Sequence, residues 1–149
     1  MHYRPYTPAD FAALYAIEEL CFEPTFRFSR SYMRHILACP DTATWIAERE
    51  AEMAGFAIIE WASTRNGTIA YIQTLEVLPA HRSKGAGTQL LHHLETSARE
   101  ASAQSIWLHV DEENAPAIHL YKSQGFTPQG REENYYPKGR AALVFMKTL

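Results

Sequence analysis

Residues 81–91 read HRSKGAGTQLL, and the reading of the fold turns on what Gly85 and Gly87 are for. The basic residues Arg82 and Lys84 stand before them, and an amphipathic run begins directly behind. Upstream is the strand-like LEVLP, residues 75–79, and downstream TQLLHHLETSAREA, 88–101, has apolar residues at helical spacing. A strand-to-helix turn of small residues leaves the N–H groups of the helix N-terminus uncovered, which is a natural anion site. The same glycines also suit a plain turn that only solves backbone geometry, and the segment alone leaves both uses open. Two phosphate loops do not fit. A Walker A loop needs Gly-Lys-Ser/Thr, but Lys84 precedes Gly85, and a dinucleotide fingerprint needs a glycine where Leu90 stands.

The rest of the chain narrows the setting. Its 149 residues suit a single domain, 1–149, with 46% hydrophobic and 21% charged residues, as in globular proteins. A net charge of −3 with 14 Lys and Arg, none in a run, argues against a nucleic-acid partner. Seven histidines are scattered, the nearest pair being the adjacent His92 and His93, so no metal site is expected. Cys21 and Cys39 form no CxxC and are read as free thiols of a cytoplasmic protein. MHYRPYTPAD lacks the apolar centre of a leader, and no run reaches membrane-spanning length.

The elements follow from period and punctuation. HYRPY reads as a strand. TPADFAALYAIEELCF reads as a helix with Thr7 at its cap and Asp10 completing a capping box, and FSRSYMRHILACP as a second helix capped by Ser29. TATWIAE, MAGFAIIEWAS and TIAYIQTLEVL read as strands, with Asn66-Gly67 turning the last two into a hairpin. After the glycine loop and its helix come a strand SIWLHV and a helix NAPAIHLYKSQGF, capped by Asn114 and ended by Gly125. Two strands, TPQGREENYY and AALVFMKTL, close the chain. The order β-α-α-β-β-β-α-β-α-β-β describes an α/β domain around a central mixed sheet.

With these segments in place, the chain resembles the GCN5-related N-acetyltransferase (GNAT) family over essentially its whole length. Arg82-Ser83-Lys84-Gly85-Ala86-Gly87 is similar to that family's Arg/Gln-x-x-Gly-x-Gly/Ala pyrophosphate loop. NAPAIHLYKSQGF resembles the signature helix of the RimI-type protein Nα-terminal acetyltransferases, and NYYP at 134–137 their C-terminal motif. The resemblance implies a mostly antiparallel sheet and acetyl-CoA as donor. It implies that the amides of Arg82, Ser83, Lys84, Gly85, Ala86, Gly87 and Thr88 hold the pyrophosphate. Leu75, Glu76 and Val77 would pair with the pantetheine arm and aim an amide at the thioester carbonyl. Asn114 would reach the same arm, besides capping its helix.

Acetyl transfer needs a deprotonated amine and an acid for the departing thiolate. The resemblance places Tyr121 near the sulfur, where a phenol can protonate it; an isolated tyrosine at helical spacing would read as core. RimI resembles this chain but carries a glutamate at the place of His109. Eukaryotic and archaeal relatives have the LHV seen here and use its histidine with a tyrosine on the preceding strand, here Tyr71. A neutral imidazole can accept the amine's proton, through water. Glu76 is the fallback base, although strand alternation sends Tyr71 and Glu76 to opposite faces unless a bulge intervenes. In the family the acceptor groove comes from CFEPTFRFS, with Phe26, and from the turn after REENYYP. There Tyr135 and Tyr136 either hold a peptide backbone or cover the core. The expected acceptor is a protein N-terminus. A small-molecule amine or lysine acetyltransferase, or an inactive CoA-binding sensor, are the other readings.

Overall fold

The computed structural model describes all residues, 1–149. Its elements are β1 (His2–Pro5), α1 (Phe11–Cys21), α2 (Arg30–Ala38), β2 (Thr42–Arg49), β3 (Glu52–Thr64), β4 (Gly67–Val77), α3 (Ala86–Glu100), β5 (Ala103–Asp111), α4 (Ala115–Ser123), β6 (Thr127–Glu132) and β7 (Ala142–Thr148). The order matches that read from the sequence. The strands form one sheet, β1-β2-β3-β4-β5-β7-β6, in which β4 and β5 are the one parallel pair.

Local chemistry sets the boundaries. Ser29 Oγ accepts the Tyr32 N–H at 3.1 Å and starts α2. Ahead of α1, Pro8–Asp10 form a 3-10 turn in which the Asp10 carboxylate accepts the Thr7 N–H at 2.8 Å. The expected hairpin joins β3 to β4, but its two turn residues are Arg65 and Asn66, and Gly67, at φ +111°, already pairs with Thr64 as the first residue of β4. The last-but-one strand is shorter than its sequence suggests. It ends at Glu132, and Asn134 at φ +54° turns the chain, so Tyr135 and Tyr136 lie on a loop. Asparagine tolerates that left-handed conformation better than other non-glycine residues.

The apolar run Ala54–Ile59 is fully or almost fully buried because β3 is covered on both faces. Ala57 and Ile59 join the core under α3 and α4, with Leu90, Leu94 and Phe145. Phe56 and Ile58 join the core under α1 and α2, with Leu14 and Met33. Each buried Leu, Ile, Phe or Met side chain among them contributes about 1.5–3 kcal/mol relative to exposure.

Two irregularities position the site. Across β3 and β4, Ile58 pairs with Thr74 but Ile59 pairs with Ile72, so Gln73 is an extra residue, a β-bulge. It resets the alternation. Tyr71, opposite Glu60, and Glu76, opposite Phe56, therefore share the face covered by α1 and α2. Beyond the bulge β4 also leaves β5: their pairing is confined to Thr68–Ala103, Ala70–Ile106 and Tyr71–Trp107. The sheet opens as a V at the C-terminal ends of its two parallel strands.

Candidate active site

The V continues into a cleft of about 590 Å³. It runs from Cys21, Phe26 and Phe28 on the α1–α2 side, between the ends of β4 and β5, to Asn114, Ala117 and Tyr121 on α4. One wall is an unpaired strand edge. Leu78 N–H donates to Ala54 O at 2.8 Å, toward β3. By alternation, Val77 and Leu75 turn their backbone polar groups the other way, to the open side. The Val77 carbonyl there accepts from Arg82 Nε at 2.8 Å.

The glycine loop stands at the end of that edge. Gly85 is the N-cap of α3 at φ +84°, with no side-chain cap, and a Cβ on it would meet nothing within 4 Å. This is an uncovered helix N-terminus. Gly87 has a different use: a Cβ there would lie 3.2 Å from Leu120 Cδ2, so its absence lets α3 approach α4. The Arg82 side chain is engaged within the protein. Its guanidinium folds back on the Val77 carbonyl and lies 3.9 Å from Cys21 Sγ. Lys84 is exposed, and Ser83 sits at φ +61°. Ala86 is buried and Thr88 half-buried in the first turn of α3. None of the residues from Arg82 to Thr88 lines the cleft itself.

Asn114 does line it and also caps α4, its Oδ1 accepting the Ala117 N–H at 3.2 Å. Tyr121 is 7% exposed, packs edge-on to Phe126 at 5.6 Å, and faces the cleft. Burial alone raises its phenol above the ordinary value, so it holds its proton firmly.

On the α1–α2 face, three strands bring one chain of polar groups together. The Tyr71 hydroxyl lies 2.7 Å from His109 Nδ1, and His109 Nε2 lies 3.0 Å from Glu132 Oε1. Burial, then the Tyr135 and Tyr136 phenols, raise the Tyr71 phenol. A phenol so held donates; Nδ1 then accepts, and Nε2–H donates to Glu132. Tyr135 stacks on the imidazole at 4.2 Å and 11°, and Tyr136 meets Tyr135 edge-on at 4.9 Å. His109 and Tyr136 line the main cleft, while Tyr71 and Tyr135 lie beside it.

Known proteins share this architecture. Residues 11–126 match the acetyltransferase (GNAT) family. This chain belongs to that family. It is 29% identical over 116 residues to the bS18-alanine N-acetyltransferase of Escherichia coli, covering 68% of this chain and 78% of that protein. With the streptothricin acetyltransferase of Streptomyces lavendulae it shares 37% identity over 97 residues, which is 64% of this chain and half the length of that relative. Arabidopsis thaliana Naa50, solved with the bisubstrate analogue CoA-Ac-MVNAL, superposes with a TM-score of 0.86 at 25% identity, covering 99% of this chain and 98% of its own.

Within this GNAT domain Glu76 does not have the place expected of it. It is 4% exposed and turned onto α1, where it meets Glu18, 1% exposed. Thr74 Oγ1 donates to Glu76 Oε2 at 2.6 Å, and Phe28 N–H donates to Glu18 Oε2 at 2.9 Å. The remaining oxygens, both Oε1, are buried without a hydrogen-bond partner. Burial, then the neighbouring Glu18 carboxyl, raises Glu76 well above the carboxylate range. A buried carboxyl turned away from the cleft is out of place as a base for an amine held there, and Glu76 does not line the pocket.

The groove wall includes residues that sequence reading passed over. Lys138 and Arg140 lie over the Phe26 ring at 5.8 and 5.4 Å. Lys138 also reaches Glu23 at 3.6 Å, and Arg140 pairs with Asp111 and, at 3.4 Å, with Glu113. They tie the β6–β7 loop to the α1–α2 loop and to β5. Their only sequence signal was a basic pair beside NYYP. Cys21 and Cys39 are free thiols, and no helix is long and apolar enough to cross a membrane.

Proposed function

We propose that this GNAT protein is an acetyl-CoA-dependent N-acetyltransferase whose acceptor is the α-amino group of a peptide or protein. The observation that carries the reading is the opening of β4 from β5, with Tyr121 on one side and the Tyr71–His109–Glu132 chain on the other. Acetyl-CoA supplies the acetyl group as a thioester. The residues suit it: the uncovered amides from Gly85 to Thr88 take its pyrophosphate, and the open edge at Leu75 and Val77, with Asn114, takes the extended arm. Tyr121 O–H, still protonated at neutral pH, donates to the departing sulfur. The acceptor amine sits where Phe28, Gln73, His109 and Tyr136 meet. Tyr71 takes its proton and passes its own to Nδ1 of His109, and Glu132 stabilises the imidazolium that forms.

The acceptor class rests on proton energetics and on likeness. An α-amine has an ordinary pKa near ~8 against ~10.4 for lysine, so more of it is free at neutral pH and a modest base suffices. Tyr135 and Tyr136 border the place where the first backbone amides would lie. The bS18-alanine enzyme and the peptide-bearing Naa50 analogue support a chain end as acceptor. The streptothricin acetyltransferase relative favours a second reading, a small-molecule amine.

The test is mass spectrometry after incubation with acetyl-CoA and peptides that each carry one internal lysine, with the α-amine free or blocked. Acetylation is expected on the free α-amine and should fall at least ~100-fold when it is blocked. His109→Gln should slow turnover without weakening acetyl-CoA binding. Equal acetylation of blocked peptides would move the protein to the second reading.

A further inference from the structure

We infer that the acceptor of this enzyme carries a second positive charge, held by Glu60 in an aromatic-walled pocket beside His109. This rests on the acetyltransferase reading above and concerns what lies beyond the reacting amine.

The pocket has a volume of about 540 Å³ and opens from the main cleft, sharing Phe28, Gln73, His109 and Tyr136 with it. Tyr32, Tyr71 and Tyr135 complete its rings, and Glu60 is its single carboxylate; no lysine or arginine lines it. Glu60 is half-buried and held in place. Its Oε1 accepts from Gln73 Nε2, and Gln73 Oε1 accepts from the Tyr32 hydroxyl at 3.3 Å. The bulge residue thus aims the carboxylate into the pocket.

Glu60 differs from the other solvent-accessible carboxylates of the rim in having no basic partner. Asp111 and Glu113 have Arg140, Glu23 has Lys138, and Glu112 and Glu133 have Arg131, while Glu132 has His109 Nε2 as its hydrogen-bond partner; Glu18, also on the cleft, is buried and accepts the Phe28 N–H. Glu60 enters no ion pair, and its charge acts on the pocket, raising the Tyr32 phenol after burial has done so. An unpaired carboxylate ringed by aromatic faces is the chemistry that takes an ammonium or guanidinium group, by charge and by cation–π contact. A neutral or acidic tail would leave that carboxylate unpaired or repelled.

The reach is fixed by the sheet. Glu60 on β3 faces Tyr71 on β4, and His109 lies on β5. Glu60 and His109 lie two strand spacings apart across the sheet and, since Tyr71 pairs with Trp107, two residues apart along it, roughly 12 Å between backbones. A lysine or arginine in the second position of a peptide spans this, and so does the far nitrogen of a polyamine.

The experiment measures kcat/KM for peptides identical except for Lys, Leu or Glu in the second position, and for a polyamine beside a monoamine of equal length. The Lys peptide should exceed the Leu peptide about tenfold, and the Glu peptide should be poorest. Glu60→Gln keeps an acceptor for Gln73 and should bring the Lys/Leu ratio close to one. Glu60→Lys should turn the preference toward the Glu peptide, which a merely structural role would not do. A Lys/Leu ratio near one in the wild type, or unchanged in Glu60→Gln, overturns the inference and leaves N-terminal acetylation standing. A preference for the polyamine that Glu60→Gln abolishes, with no peptide acetylated, supports the charge subsite and removes the peptide reading.

Discussion

Removing one oxygen from Tyr121 separates chemistry from packing. In Tyr121→Phe the ring keeps its edge-on contact with Phe126, and the site remains 7% exposed. The hydroxyl faces the cleft and burial alone shifts its phenol, so no partner inside the protein is left unsatisfied. The stability change should stay within about 0.5 kcal/mol, or ~1–2 °C in melting temperature for a chain of this size. Turnover should behave differently. A lost general acid costs about 100-fold or more, equivalent to ~2.7 kcal/mol of barrier. The raised phenol adds a sign. It keeps its proton to higher pH than a free tyrosine, so wild-type turnover should show no falling limb from Tyr121 below pH ~10. Single-turnover rates at saturating acetyl-CoA, alongside CoA affinity by calorimetry, measure both quantities. A rate within ~3-fold of wild type, with chemistry limiting, would leave Tyr121 as a packing residue and refute the assignment.

Two further perturbations address the donor loop and the buried carboxyls. Gly85→Asn and Gly85→Asp both impose a side chain at φ +84°, which asparagine and aspartate tolerate better than most residues. Only the second adds charge; repulsion of about 1–4 kcal/mol against a nearby anion should weaken acetyl-CoA binding ~10-fold or more beyond the asparagine variant, and equal affinities would remove the anion site. Glu76 is raised in the folded state, so its stabilisation is complete below the ordinary carboxylate value of 4.5 and declines as pH rises through the folded value. Glu76→Gln, neutral at every pH, should therefore melt higher than wild type at pH 8, with the gain shrinking toward pH 5; a gain independent of pH would show that the carboxyl is not held protonated.

Much of this protein was legible without its fold. The capped helices, the Asn66-Gly67 hairpin, the glycine loop and the NAPAIHLYKSQGF helix are local signals, each written within a few residues. They determine the element order and place Tyr121, Asn114 and the helix N-terminus at Gly85. Strand alternation failed at one point because an extra residue, Gln73, shifts the register of β4, and nothing in TIAYIQTLEVL marks it. Whether an inserted residue bulges depends on what β3 offers opposite it. Only the tertiary structure could therefore put Glu76 against Glu18 and keep it out of the cleft. The same holds for Glu132 on His109, 23 positions apart, and for Glu60 among the tyrosines. Contacts between strands distant in sequence are set by sheet order and by the V between β4 and β5, and a one-dimensional pattern of polar and apolar residues does not encode which carboxylate finds a cation.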